Sequence, residues 1–172
     1  TTGQSRPSGN DGREGIEDTV PLDLNYGGET VTFFVRSDTD LYKYELACDK
    51  LLNDPLYDAI HYRNIDVENR LGVKIATVGQ SCVWGEHTDW NERLSTSVLT
   101  NSGDYDGAAF YLSASSALAK DGIYYNLFSL TKDADGYLDL EKPYWAQGFN
   151  EAMTIGEGQY LATGAISLSF YR

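Results

Sequence analysis

Three strand-like runs separated by two helix-length amphipathic segments constrain this chain more than any other feature. Thr30 to Val35 is β-branched and aromatic, as a buried strand requires. Asn53-Asp54-Pro55 then opens a helix, with Asp54 as N-cap and Pro55 at the first helical position. Tyr57, Ile60, Val67 and Leu71 recur at helical spacing, and Gly72 supplies the left-handed stop. Val73 to Val78 is a second strand, ending at Gly79-Gln80-Ser81. Asp89-Trp-Asn-Glu92 has the spacing of a capping box, with Trp90, Leu94, Val98 and Asn101 on one face of the helix it predicts and Gly103 beyond it. Tyr105 to Leu112 reads as a third strand, running into Ser113-Ala-Ser-Ser116, with a short helix over Ala117–Lys120.

Strands joined by helices of this length pair in parallel through right-handed crossovers. The reading is therefore an α/β fold with a mainly parallel sheet flanked by helices. In such a sheet every strand ends on the same edge, where open α/β sheets bind ligands. Arg36-Ser37-Asp38, Gln80-Ser81 and Ser113 to Ser116 should meet there. The last third differs. Tyr124 to Leu130 reads as a turn leading into a hydrophobic brace. A hairpin of Ala152–Ile155 and Gln159–Ala162 turns at Gly156-Glu-Gly158, and Ala165 to Phe170 reads as a further strand.

Composition narrows the function. At 172 residues the chain can bury one good core, and 41% hydrophobic with 23% charged residues is a globular balance. No apolar run approaches the roughly 20 residues of a membrane span. A net charge of −13 repels phosphate backbones, so nucleic acid is not an expected partner. Residues 1–28 are polar and Gly-, Ser- and Asp-rich and read as a flexible tether, with the domain over 29–172.

Several motifs have bland readings. No Gly-x-Gly-x-x-Gly or P-loop is present, so a nucleotide site lacks its usual cradle. Asp133-Ala-Asp135-Gly136 resembles the start of a calcium loop, but its Gly arrives two positions early, leaving a solvated acidic turn. Cys48 and Cys82 lack zinc spacing, so no metal or other cofactor is expected; they are either two free thiols or one disulfide. His61 falls mid-helix and His87 just ahead of a helix, and no nucleophile motif accompanies them. Glu86, Asp89 and Glu92 complement the positive end of the second helix. The aromatic complement is 13 Tyr, 3 Trp and 6 Phe, and tyrosine combines a flat apolar face with a hydroxyl, the chemistry sugar binding uses. Tyr124 and Tyr125 read as residues that pack the core or cover the surface, whereas Tyr111 and Trp145 are candidates for a ligand platform.

Three stretches carry a resemblance. "NDPLYDAIHYRNIDVENRLGVKIATV" resembles the first helix and second strand of bacterial family 1 extracellular solute-binding proteins. "YDGAAFYLSASSALAKDGIYYNLFSL" resembles their third strand and following helix, and "YLDLEKPYWAQGFNEAMTIGEGQYLATGAISLS" their segment leading toward the hinge. The resemblance implies the N-terminal lobe portion of a type II periplasmic-binding-protein fold, since the family's chains are longer. It also implies solute capture for an ABC permease, with half of an interlobe cleft presented to a sugar or oligosaccharide. The setting would be extracellular, a cell-surface lipoprotein held to the membrane by an N-terminal lipid anchor only, although the lipidated Cys is absent. The chain departs from the pattern at Ala165, where relatives often carry an acid. Under this reading the ligand-binding residues are Arg36, Ser37, Asp38, Gln80, Tyr111, Ser113 and Trp145, and no bond is made or broken. Arg36 could grip a carboxylate or a sugar hydroxyl, or simply pair with Asp38. The alternatives are a small α/β enzyme, a hydrolase or transferase, and a cell-surface interaction domain.

Overall fold

The computed structural model describes residues 18–38, 44–83, 85–131, 133 and 135–164. Its centre is a parallel sheet in the order β2-β1-β3, with β1 at Glu29–Arg36, β2 at Val73–Gln80 and β3 at Gly107–Ala109. The middle strand is the buried one: Phe34, Val35 and Arg36 are all less than a tenth exposed. Helix α1 (Pro55–Leu71) joins β1 to β2, and α2 (His87–Leu99) carries the chain back across β1 to β3. Because the two crossovers travel in opposite directions, the right-handed rule puts α1 and α2 on opposite faces. Side chains alternate along a strand. Phe34 accordingly faces α2, where it joins Trp90 and Leu94, with Leu118 of α3 (Leu112–Lys120) in the same core.

Phe34 lies between two rings. Trp90 stacks on it at 4.4 Å and Tyr105 at 4.6 Å, and Phe110 stacks on Trp90 at 3.8 Å, all within 18° of parallel. Four rings from β1, α2 and the two flanks of β3 thus form one column.

Helix α1 starts and stops as its residues dictate. Asp54 Oδ1 accepts the N–H groups of Leu56 and Tyr57, and Gly72 takes the left-handed conformation at φ 62°. A side chain at Gly72 would also collide with Asn25. The buried stripe is not the apolar one, however. Ile60 and Asn64 are buried, while Val67 is 38% exposed. Segment 44–48 passes over this helix, and its carbonyls need donors. Arg63 Nη2 and Asn64 Nδ2 both donate to Leu46 O, at 2.6 and 2.9 Å, and His61 Nδ1 donates to Cys48 O at 2.7 Å.

Helix α2 departs from the capping-box expectation. It begins at His87, so Asp89 lies inside the first turn, and Glu86 at the cap makes no side-chain cap bond. Glu86 Oε2 instead accepts the N–H of Val83. The buried face is Trp90, Leu94 and Ser97, and Val98 is exposed. The helix ends at Leu99, before Gly103, with the left-handed Asn101 between them.

Strand β3 is shorter than the Tyr105–Leu112 expected. Asp106 starts the pairing doubly: its N–H donates to Thr32 O, and its carboxylate accepts the N–H of Thr32 at 2.7 Å. After Ala109 the chain leaves the sheet, and α3 starts at Leu112 rather than Ala117. Ser113 to Ser116 therefore occupy the first turns of a helix, not a strand tail. Burial of Ala114, Ser115, Leu118 and Ala119 drives this, since the small residues let α3 lie close to α2.

The C-terminal part is a 3₁₀ turn (Leu127–Leu130), α4 (Gln147–Ala152) and a hairpin of β4 (Thr154–Ile155) and β5 (Gly158–Gln159). The hairpin is narrower than expected, and Ala152 belongs to α4. Its turn is Gly156-Glu157, with Gly156 at φ 61° and Gly158 in the strand. Asn126 Oδ1 caps the 3₁₀ turn through Phe128 N–H and also accepts Gln159 N–H, joining the two. Tyr124 packs on the core, whereas Tyr125 is 68% exposed and covers the surface. The strand expected over 165–170 lies outside the described residues, as do residues 1–17 of the expected tether.

Residues 18–28 bond to the domain. Tyr26 N–H donates to Leu71 O and Gly28 N–H to Gly72 O, while Arg70 reaches the Asp18 carboxylate and Val20 O. Contacts of the domain thus reach back to Asp18. Both cysteines are free thiols. No helix of the described residues is long and apolar enough to cross a membrane.

Two measurements check this architecture. Trp90→Ala opens the ring column and should cost about 3–5 kcal/mol of unfolding free energy in urea titration. Arg70 holds the Asp18 carboxyl below the ordinary carboxylate range. The unfolded state therefore takes up the proton first, so this pair stabilises above the ordinary carboxylate pKa and its contribution is lost as pH falls toward the depressed folded value. With both groups more than a third exposed, Asp18→Asn should cost under about 1 kcal/mol at neutral pH. The difference from the parent should vanish in acid melts.

Candidate functional site at the strand ends

Parallel pairing brings the tails of the strands to one edge. Arg36 pairs with Gln80 in register, and Ser37 N–H continues the ladder to Gln80 O at 3.0 Å. Asp38 Oδ1 accepts the N–H of Cys82 at 3.4 Å, which ties the β1 tail to the β2 tail. Gly79 permits this closeness, since a Cβ there would lie 2.7 Å from that of Ser37. From the β3 side comes Tyr111, the N-cap residue of α3. The Arg36 guanidinium lies over its ring, 4.0 Å from the centroid. Ser113 follows, exposed in the first turn of α3. Both α2 and α3 therefore point their positive ends at this edge.

Six of the seven residues expected at the site are gathered on this edge: Arg36, Ser37, Asp38, Gln80, Tyr111 and Ser113. Trp145 is not among them. It pairs with Gly164, and its Nε1 donates to Asp139 O at 2.8 Å. Its neighbour Tyr144 feels the charges of Asp139 and Asp18, and Thr19 bonds Tyr137 O. Asp18 is held by Arg70, in the last turn of α1, where β2 is about to begin. Trp145 thus belongs with the amino ends of the strands, across the sheet from the others.

Three residues at the edge escaped the sequence reading as site members. Cys82 is fully buried two positions past β2, with Sγ 3.8 Å from His87 Nδ1. His87 stands edge-on to both Phe110 and Tyr111. Arg93, two turns into α2, donates from Nη1 to Gln80 Oε1 at 3.0 Å. The position of Cys82 directly after a strand was the available signal for the first two. Arg93 depends on helical phase, which the misplaced start of α2 obscured.

A cysteine beside a histidine invites a nucleophilic reading. The electrostatics oppose it. Burial pushes the Cys82 thiol up, and Asp38 and Glu86 push it further, with only a smaller opposing pull from Arg36. An activated nucleophile needs the reverse. Among the described residues no group of three His, Cys, Asp or Glu side chains could hold a metal ion, and Gly136 N–H donates to Thr131 O. What the edge offers is a planar cation on an aromatic face, a side-chain amide, hydroxyls and a carboxylate. Such groups recognise a polar ligand through directed hydrogen bonds.

In the folded chain at neutral pH, Cys82 should resist iodoacetamide for hours and react promptly in urea; mass spectrometry of the labelled peptide reads the outcome. Comparison with family models, with curated proteins and with solved structures finds no match.

Proposed function

We propose that this domain presents one wall of a cleft that captures a small polar solute, with a carbohydrate favoured, for an ABC importer. On this reading it is a type II periplasmic-binding lobe, tethered outside the cell by an N-terminal lipid anchor and delivering its solute to a permease. The observation that carries the proposal is the Arg36–Tyr111 pair at 4.0 Å, set at the common edge of three parallel strands beside Gln80 and Ser37. Arg36 is only 8% exposed, so its guanidinium is held in place by packing. A fixed guanidinium beside an aromatic ring supplies direction to hydroxyl groups without the entropy cost of ordering a free arginine. No chemical step follows, because the domain binds and releases its solute unchanged.

An enzymatic reading draws on the nearness of Cys82 to His87. The upward shift of the thiol weighs against it.

Titration of labelled protein with glucose, maltose and longer oligosaccharides should perturb the amide signals of Arg36, Ser37, Gln80, Tyr111 and Ser113. One wall without its opposite should bind weakly, with Kd near millimolar, about −4 kcal/mol. Tyr111→Ala should weaken binding about tenfold further. A submicromolar Kd would overturn the one-wall reading, and silence at these signals with every sugar would overturn the carbohydrate reading.

A further inference from the structure

A concavity lies along the C-terminal half of α2. It is an open cavity of about 460 Å³, within the range of about 300–1,000 Å³ usual for small-molecule sites. Its surface is part apolar and part polar, with polar groups on most of the residues that line it. Thr96, Thr100 and Ser102 supply hydroxyls, Asp104 a carboxylate, Arg93 a guanidinium and Tyr105 an aromatic ring.

These groups are ordered by one another. Asp104 Oδ2 accepts hydrogen bonds from Ser97, at 2.9 Å, and from Ser102. Those hydroxyls hold the carboxyl below its ordinary pKa, so it is an acceptor at neutral pH. Its other oxygen has no bond to any described residue and stays available. Arg93 is steadied by Gln80 Oε1 and by the rings of Phe34 and Tyr105, 5.1 and 5.8 Å from the guanidinium carbon. Tyr105 is the end ring of the aromatic column: one face lies on Phe34, and the residue lines the cavity.

We infer that this cavity is a second binding site, for a neutral polyhydroxyl ligand such as a mono- or disaccharide. Sugar hydroxyls match a carboxylate and a guanidinium in one lining, and each can also bond the hydroxyls of Thr96 and Thr100. The C–H face of a sugar ring suits the aromatic ring of Tyr105. Opposite charges already fixed by protein partners suit a neutral ligand better than a charged one, which would have to neutralise only one of them. The site shares Arg93 with the strand-end edge but does not depend on that reading, since its other lining residues are its own.

The test is a titration of the labelled chain with maltose, read at the amides of Thr96, Ser97, Thr100, Ser102, Asp104 and Tyr105. These signals should move together and saturate. Asp104→Asn should weaken that response about tenfold. Because Asp104 also orders Ser97 and Ser102, Thr96→Val serves as the second variant. It removes one exposed hydroxyl from the lining at nearly constant volume, and should weaken the response about threefold with the melting temperature unchanged. Movement confined to Arg36, Tyr111 and Ser113, or none at all, overturns the inference while leaving the strand-end reading to its own result. A saturable response to glycine betaine but not to maltose overturns the ligand class. Unchanged affinity in both variants overturns the site.

Discussion

Phe34 is gripped from both sides, by Trp90 of α2 and by Tyr105 ahead of β3, and the stack runs on to Phe110 behind β3. Much else in the structure depends on this column. Each aromatic pair contributes about 0.5–1.5 kcal/mol beyond the area it buries. The larger consequence is geometric. Tyr105 and Phe110 bracket β3, so a strand of three residues is clamped at both ends to the middle of the sheet. The Asp106 carboxylate on Thr32 N–H secures its entry, where the backbone ladder has scarcely begun. A three-residue strand has too few ladder bonds to hold its own register, and the rings and the carboxylate supply what the ladder lacks.

The candidate site is downstream of that clamp. Once Phe110 is seated against Trp90, the next residue, Tyr111, emerges at the carboxyl edge and meets Arg36 on the neighbouring strand. Arg36 sits two residues beyond Phe34 and so on the same face of β1. Core packing and site geometry are therefore parts of one arrangement. On the other side of the column, Tyr105 faces the cavity beside α2, so the same stack ends in a candidate ligand surface at each flank of β3. The Arg93–Gln80 bond joins the strand-end edge to this cavity.

The order of strands and helices was legible because it rests on local chemistry. Asp54, Pro55 and Gly72 mark the ends of α1 whatever the rest of the chain does, since a cap bond and a left-handed turn involve only near neighbours. The convergence of Arg36, Ser37, Asp38 and Gln80 followed from parallel pairing alone. Where the reading failed, a distant partner outweighed a local signal. The Asp89–Glu92 spacing matched a capping box, but the helix starts at His87, whose ring meets Phe110 and Tyr111. Asn64 displaced Val67 from the buried face of α1 because the Leu46 carbonyl needed a donor. Ser113 to Ser116 looked like a strand tail by composition, yet Ser115 and Ala114 turned inward as α3 packed on α2. Trp145 stood beside other aromatics in the sequence, but its indole is spent on Asp139 O at the opposite edge.

By itself the amino-acid sequence determined the alternation of elements, the parallel sense of the sheet and hence a common polar edge. Hydrophobic period, caps and crossover handedness are properties of short segments and of chirality, and they survive without knowledge of the fold. Tertiary structure alone decided that Arg36 lies on Tyr111, that Cys82 is buried beside His87 and two carboxylates, and that Tyr105, Arg93 and Asp104 frame a cavity. These facts join residues as far as 75 positions apart in the chain. Their meeting is set by which rings stack on Phe34, a choice that no local pattern encodes.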